Sequence, residues 1–356
     1  MEKARKNIWP ELGPKWGLIL ALSLILLLFF LLDLFLGSVN ISPAEVWTAL
    51  FGTDANPTIE QNIIRKIRLP KALTAIFVGA GLSVAGLQMQ TLFRNPLAGP
   101  SVLGISSGAS LGVALLMFVL GGVGGFWGIG SLKIGGSAML VLAASLGAGL
   151  IFFLILLLSL KIRDNVVLLI LGIMMGFITS SLVSIWQYFS EPSQIQDYLI
   201  WTFGSLNGLN QSQLSILGIC VGIGTLMAFI LSKGLNMLLL GEEYAKSLGL
   251  HIKRMRIWVI LSSSLLTGAI TGFCGPIGFI GIAVPHLGRA LFNTSDHRVL
   301  IPMTSLIGAI VMLACDIVSQ LPGYSIALPI NAVTALIGAP VVILIILRNR
   351  NLERSF

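Results

Sequence analysis

The chain has 356 residues, of which 56% are apolar and only 10% are charged, and its formal net charge is +8. Soluble domains carry about 25% charged residues, so this chain has too few charges to cover a water-exposed surface. The composition therefore excludes an ordinary soluble enzyme and predicts a protein that faces lipid. The positive charge does not predict nucleic-acid binding, because Lys and Arg stand in short groups between apolar runs and form no basic stripe.

Apolar windows long enough to cross a bilayer recur along the whole chain. A spanning helix needs about 20 mostly apolar residues. Windows of this kind lie at about 16–36, 72–93, 102–120, 138–160, 166–189, 213–231, 255–273, 300–318 and 328–347, and a shorter apolar piece lies at 277–292. They predict an all-α, polytopic membrane protein with about ten transmembrane helices in a single domain over residues 1–356. The first window is too long for a signal peptide and is expected to be an uncleaved span.

The distribution of basic residues predicts the orientation. An even number of spans returns both termini to one side of the membrane, together with the polar loop at 232–256. Most of the 22 Lys and Arg residues fall in segments on that side. By the positive-inside rule, we expect a multi-pass protein of the cytoplasmic (inner) membrane with both termini and this loop in the cytoplasm.

One basic cluster lies on the opposite side, just before the second span. It consists of Arg65, Lys66, Arg68 and Lys71. These side chains could extend to lipid headgroups, or they could form a docking patch for an acidic protein surface. The sequence alone leaves both explanations open.

Two polar segments are too hydrophilic to span. The loop at 37–62 should carry a short helix, with Ser42 as N-cap, Pro43 at the first helical position and Glu45 in the first turn. The loop at 232–256 is predicted to hold one or two short helices broken at Gly249.

Glycines recur inside the apolar windows, as at Gly79, Gly81, Gly86, Gly218, Gly222, Gly268 and Gly272. Small residues four positions apart allow helix backbones to approach closely in lipid. We interpret most of these glycines as packing contacts of a tight helical bundle.

Motifs for catalysis are weak or absent. The sequence has no GxxxxGK[ST] phosphate loop, so any ATPase should be a separate subunit. Gly104 to Gly108 match G-x-S-x-G, but an apolar helix follows without the strand that a nucleophile elbow requires. His286 has no second ligand at metal-binding spacing, and Asp33 and Asp316 are the only acidic residues inside spans. We expect no enzyme activity, no metal site and no cofactor.

Three blocks of motifs resemble the FecCD-type permeases, the membrane subunits of binding-protein-dependent ABC importers for ferric siderophores, haem and cobalamin. The first block contains RLPK at 68–71, GLQMQ at 86–90 and RNPLAGP at 94–100. The second contains GPIGFIG at 275–281, VPH at 284–286 and DHR at 296–298, and the third contains LPI at 328–330. The resemblance implies the type II ABC importer permease fold over nearly the whole chain.

The resemblance also implies partners and positions for contact. Two permease subunits, identical or paralogous, would form a central path between two ATP-binding subunits and an extracytoplasmic substrate-binding protein. Arg68 and Lys71, with the neighbouring Arg65, match the basic residues that receive acidic side chains of the binding protein. Membrane lipid is the remaining partner, and no nucleic acid is expected.

The same resemblance assigns two elements at the cytoplasmic side. Asn95 and Leu97 match a loop that narrows the path, and Asn165 with Val166 match the start of the fifth span, which forms the other constriction. The segment GEEYAKSLG at 241–249 matches the loop that inserts into the ATPase subunit. The implied coupling residues are Gly241, Glu242, Ala245, Leu248 and Gly249, with Ala245 and Gly249 small enough for close approach, and Glu242 can pair with Lys246.

Two positions depart from the family pattern. Many members have Glu-Leu-Pro near the last span, where Ala327 precedes Leu328 and Pro329, and some have Arg where Gln320 stands. We therefore expect fewer docking charges. The competing hypothesis is an ion-coupled secondary transporter, and the sequence distinguishes neither the ligand nor a homodimer from a heterodimer.

Overall fold

The structure is a computed structural model that describes residues 16–37, 39, 41–52, 58–120, 136–162, 164–321 and 327–348. Its α-helices are α1 Trp16–Phe35, α2 Pro43–Phe51, α3 Ile59–Ile63, α4 Leu69–Leu92, α5 Ile105–Ala114, α6 Gly136–Lys161, α7 Asn165–Tyr188, α8 Pro192–Thr202, α9 Gln211–Ile230, α10 Ser232–Leu239, α11 Glu242–Ser247, α12 Ile252–Cys274, α13 Ile280–Phe292, α14 His297–Gln320 and α15 Ile330–Arg348. A π-helical turn, Ile64–Arg68, joins α3 to α4, and a second, Leu115–Leu120, extends α5.

The helices confirm the predicted polytopic architecture. Among the residues that the structure describes, seven helices are long and apolar enough to cross a membrane, and three shorter apolar helices coincide with the remaining predicted windows. One boundary differs. The second span was predicted to begin near residue 72, but its helix runs continuously from Ile59 to Leu92. Arg65, Arg68 and Lys71 therefore lie inside a helix, which accommodates their charges because each of them is bonded within the chain.

Helix α4 forms the centre of the bundle. In the span that contains α4, 78% of its apolar 18-residue window is buried inside the protein, whereas the corresponding share is 22% for α7 and 17% for α1. Glycines explain how other helices approach α4 so closely. A methyl group at Gly79 would lie 2.1 Å from the Gly308 carbonyl oxygen, and one at Gly86 would lie 1.7 Å from that of Gly281. The packing interpretation holds for these glycines, although Gly222 has open space around it.

The segment predicted to dock the binding protein and the segment predicted to contact the ATPase lie at opposite ends of α4. The α2 end, at the N-terminus of α4, holds α2, α3 and the π-helical turn. The α11 end, at its C-terminus, holds α10, α11 and the loop at 93–99.

The predicted capping of α2 is confirmed. Ser42 Oγ accepts from the Glu45 amide, and Glu45 accepts from the Ser42 amide, which lowers the pKa of this exposed carboxylate.

Several basic residues used to predict orientation lie outside the described residues. They are Lys3, Arg5, Lys6, Lys15, Lys133, Arg163, Arg350 and Arg354.

Candidate coupling and gating site

Residues 232–249, here called the coupling segment, form two short helices at the α11 end. The break between them lies at Leu240 and Gly241, where Gly241 has φ +103°, and Gly249, with φ +86°, ends the second helix. Both angles fall in the region that glycine tolerates best. The prediction of short helices is thus confirmed, whereas the break between them lies earlier than Gly249. Tyr244 and Leu248 project outwards and are more than half exposed.

Two predicted contacts within the coupling segment need correction. Ala245 is fully buried, so its methyl group packs inside this chain and is not available for close approach by a partner. Lys246 pairs with Glu243, one turn back, instead of with Glu242. Glu242 is turned towards the bundle because two polar side chains of neighbouring helices bind it there.

Glu242 connects the coupling segment to the start of α7. The side-chain amide of Asn165 donates to Glu242 Oε1 at 2.6 Å and to the Leu92 carbonyl oxygen at 2.9 Å. Arg256, at the start of α12, lies 3.4 Å from the same carboxylate and donates to the Ile162 carbonyl oxygen. A predicted coupling residue and a predicted gate residue are therefore in direct contact. This Asn165–Glu242–Arg256 group is called the polar link below.

The loop at 93–99 lies directly after Leu92. Asn95 Oδ1 accepts from the Leu97 amide at 2.9 Å, and His286 bonds the Pro96 carbonyl oxygen at 2.9 Å. Because a carbonyl oxygen only accepts, His286 Nε2 must carry the proton. Leu97 and Val166, both predicted gate residues, are 47% and 59% exposed, so their apolar side chains remain free to meet other groups.

A second set of polar contacts at the α11 end was not predicted from the sequence. His297 lies between Thr91 Oγ1 and Asn236 Oδ1, each at 2.7 Å, and Asn236 also donates to Asp296 at 2.6 Å. These contacts tie α10 to α4 and α14. The available signal was a polar residue, Thr91, near the end of an apolar window.

The docking residues predicted from the resemblance lie at the α2 end. Arg65 donates to the Ala49 and Gly52 carbonyl oxygens. Arg68 is 6% exposed and donates to the carbonyl oxygens of Leu34, Phe35 and Val39, and thereby fixes the end of α1. The structure thus gives both arginines an internal role. Lys66 is the exposed member of the cluster.

Lys71 belongs to a buried charged group that joins three helices. Its ammonium lies 3.0 Å from Asp316 Oδ1, and its side chain is 10% exposed. Gln320 donates to Asp33 at 2.7 Å and to Asp316 at 3.1 Å. The two acidic residues inside spans, far apart in sequence, are therefore neighbours. Gln320 bridges them.

His286 shows no features of a metal ligand. Its ring is buried against the loop at 93–99. Within the part of the chain that the structure describes, no group of three or more His, Cys, Asp or Glu side chains could hold a metal ion.

Solved structures share this architecture. A metal-chelate type ABC transporter in an inward-facing conformation superposes with a TM-score of 0.80 at 30% identity, covering 93% of this chain and 99% of the other. PsaBC from Streptococcus pneumoniae, solved with a Fab, gives a TM-score of 0.53 at 18% identity and shows a likeness of fold alone. The fold and the site define an all-α, polytopic membrane permease of the ABC-transporter kind.

The sequence comparisons narrow this class. The FecCD transport family matches residues 25–348, and the chain belongs to that family. The vitamin B12 import system permease protein BtuC of Klebsiella pneumoniae is 35% identical over 92% of this chain and 93% of its own length. BtuC of Salmonella typhi is 36% identical over 98% of each chain. An ABC transporter permease protein of Methanocaldococcus jannaschii is 36% identical over 83% of this chain and 86% of the relative.

Proposed function

We propose that this chain is the membrane-spanning subunit of a binding-protein-dependent ABC importer that moves a ferric siderophore, haem or cobalamin type of ligand into the cytoplasm. Its partners would be two ATP-binding subunits, a substrate-binding protein and a second permease subunit. The chain would lie in the cytoplasmic membrane with both termini and the coupling segment inside. Family membership and the names of the relatives support this assignment.

The observation that carries the proposal is the polar link. An ATP-driven permease needs a rigid connection between the surface that its motor grips and the helices that close the path. Glu242 begins α11, and its carboxylate is bonded to Asn165 at the first position of α7. Charge-assisted hydrogen bonds of this kind are short and strong, so displacement of α11 would be transmitted to α7.

The gate follows from the same contacts. Asn165 also bonds the end of α4, immediately before the loop that carries Asn95 and Leu97. Movement of α7 would therefore separate or join Leu97 and Val166 of the two permease subunits. A constriction of apolar side chains can close a path to water without binding the ligand.

The exposed surface of the coupling segment would meet the ATP-binding subunit. Tyr244 and Leu248 project from it, and the exposed pair Glu243 and Lys246 lies beside them. Gly241 and Gly249 set the turns that present this face, while Ala245 fixes it from beneath.

The α2 end would receive the binding protein. Lys66 is the member of the basic cluster that faces outwards there, whereas Arg65, Arg68 and Lys71 hold α1, α2 and α14 in place beneath it. Charged contacts of this kind fix registration and association rate more than affinity.

Uptake into proteoliposomes containing the complete complex tests the assignment against an ion-coupled transporter. Cyanocobalamin, a ferric trihydroxamate and haem serve as probes, each delivered by the binding protein. We expect uptake of at least one probe that requires ATP and survives a protonophore. Uptake that continues without ATP and disappears with the proton gradient contradicts the proposal.

A further inference from the structure

A polar cavity lies beside the C-terminal half of α7, whereas the polar link is at the N-terminus of that helix. It has a volume of about 240 Å³ and is formed by α5, α7 and α8. All of its lining side chains except Val183 carry a hydroxyl or an amide group, and they are Ser107, Ser110, Thr179, Ser180, Ser184, Gln187 and Tyr198. A second cavity, of about 340 Å³, shares Ser107 and Ser180 with the first.

Some of these polar groups are already used inside the chain. Thr179 donates to the Gly176 carbonyl oxygen, and Ser184 donates to the Ser180 carbonyl oxygen. The side chains of Ser107, Ser180 and Gln187 have no hydrogen-bond partner among the residues that the structure describes. Three unused polar groups from two helices therefore face one cavity.

Glycines make room for the cavity. Gly104 lies against α7 so closely that a methyl group there would come within 2.9 Å of the Gly172 carbonyl oxygen. A methyl group at Gly176 would lie 3.4 Å from Ser107 Oγ, an ordinary contact that would fill space between the helices. The backbones of α5 and α7 are thus close at one point, and the small side chains leave an opening beside it.

The polar face cannot be explained by contact with lipid. Helix α7 is one of the candidate spans, and Ser180 on it is exposed and has no partner for its hydroxyl among the described residues. The hydrocarbon core offers no hydrogen-bond partner, so polar side chains at that depth face a water-filled cavity or another protein chain. The lipid-exposed face of α6 looks different, with Leu142, Leu146 and Leu150 exposed along it.

We infer that the cavity is a ligand-contact site of the transport path, and that it takes an uncharged ligand whose surface carries amide, hydroxamate or other oxygen-rich hydrogen-bonding groups. This inference rests on the proposed function and narrows its ligand. Hydroxyl and amide side chains both donate and accept, so they match a surface that presents both kinds of group. Among the described residues that line the two cavities there is no Lys or Arg to bind the carboxylates of haem.

The site is also suited to a ligand that passes through it, because it would bind that ligand only weakly. Each neutral hydrogen bond contributes only about 0.5–1.5 kcal/mol net, because water competes for the same groups. A few such bonds replace part of the ligand's hydration without holding it, as conduction through a path requires. The cavity would therefore add a polar step to the path that the proposed function requires.

Cysteine labelling tests the cavity without any transport. Ser180→Cys is compared with Leu146→Cys, both in a Cys220→Ser background, because Cys274 and Cys315 are buried. We expect a charged, water-soluble maleimide to label Ser180→Cys in the membrane-embedded complex and not to label Leu146→Cys. Equal resistance of the two sites overturns the inference, whether or not the complex transports.

Uptake tests the ligand class. Ser107→Ala/Ser180→Ala should slow uptake of cyanocobalamin or the ferric trihydroxamate about tenfold, since two hydrogen bonds of ordinary strength are lost. Ser181→Ala, on the same helix but outside both cavities, should match the wild type, and both variants should keep the wild-type rate of ATP hydrolysis. Unchanged uptake in the double variant overturns the inference. A wild-type complex that imports haem and neither uncharged probe also overturns it, while leaving the permease function intact.

Discussion

Lys71 shows how a basic residue inside a span can be structural. It is buried beside Asp316, and Gln320 links that carboxylate to Asp33. An ion pair in a low-dielectric environment adds little net stability, yet removing one partner leaves a buried charge without compensation. The resemblance predicted Lys71 as a docking residue, and its contacts favour a role inside the chain.

Replacing Lys71 by Met should therefore destabilise the protein. We expect a loss of about 3–5 kcal/mol, the usual cost of breaking a buried pair, measured as a lower unfolding temperature in detergent. The double variant Lys71→Met/Asp316→Asn should recover most of this loss, because neither charge of the Lys71–Asp316 pair remains. Lys66→Met, at the exposed position of the same cluster, is the matched control and should unfold like the wild type. If Lys71→Met also matches the wild type, the internal role is wrong.

For Lys66, unlike Lys71, we expect a role in docking the binding protein and no role in stability. Reversing its charge with Lys66→Glu should weaken binding-protein association, measured by surface plasmon resonance on the reconstituted complex. Exposed charges are screened within about 10 Å at 0.1 M salt, so the defect should shrink as salt is raised. Lys66→Gln should give a smaller defect of the same kind. Association that is insensitive to both substitutions would show that this cluster does not dock a partner.

At the scale of elements, glycine determines how closely α14 approaches α4. A methyl group at Gly308 would lie 2.3 Å from the Gly79 carbonyl oxygen and 2.1 Å from Ser83 Oγ. Neither helix can yield easily, because both are packed on several sides. The contact therefore depends on the absence of side chains at both positions.

Gly308→Ala should destabilise the bundle by about 1–3 kcal/mol, the usual cost of overpacking a core. Gly222→Ala is its control, since it lies in a helix with nothing within 4 Å of the added methyl group. That change should be neutral or stabilising by up to about 1 kcal/mol through helix propensity. Thermal unfolding of the two variants in detergent measures both effects. An equal response would show that close packing at Gly308 contributes nothing.

Hydropathy predicts the spans because lipid imposes a length and a composition on any helix that crosses it. Each predicted window matches a helix to within a few residues, apart from the start of the second span. That start was misplaced because Arg65, Arg68 and Lys71 interrupt the apolar pattern. Their compensation comes from α1, α2 and α14, which are distant in sequence.

The candidate site was only partly predictable for a related reason. Motif resemblance located Asn165 and Glu242 separately, but no local pattern shows that two residues 77 positions apart bond each other. Helical spacing predicted Glu242 with Lys246, whereas tertiary contacts turned Glu242 inwards. Ala245 is buried for the same reason, and its small size reflects packing within the chain.

At the scale of the whole molecule, the proposed function requires a connection between the surface that a motor subunit would grip and a path through the membrane. The polar link joins α11 to α7, and the contacts of His297 join α10 to α4 and α14. Both halves of the coupling segment are thus fixed to the bundle. The hydroxyl-lined cavity lies along α7, the helix that the polar link would move.

The coupling between α11 and α7 is tested most directly by the ratio of ligand molecules imported to ATP molecules hydrolysed, measured in proteoliposomes. Glu242→Ala should lower the ratio severalfold while ATP hydrolysis and complex assembly persist, because the motor would still bind but would no longer move α7. Glu243→Ala, an adjacent substitution that removes an exposed carboxylate paired with Lys246, should retain the wild-type ratio. A wild-type ratio in Glu242→Ala, or an equal fall in both variants, would contradict the account.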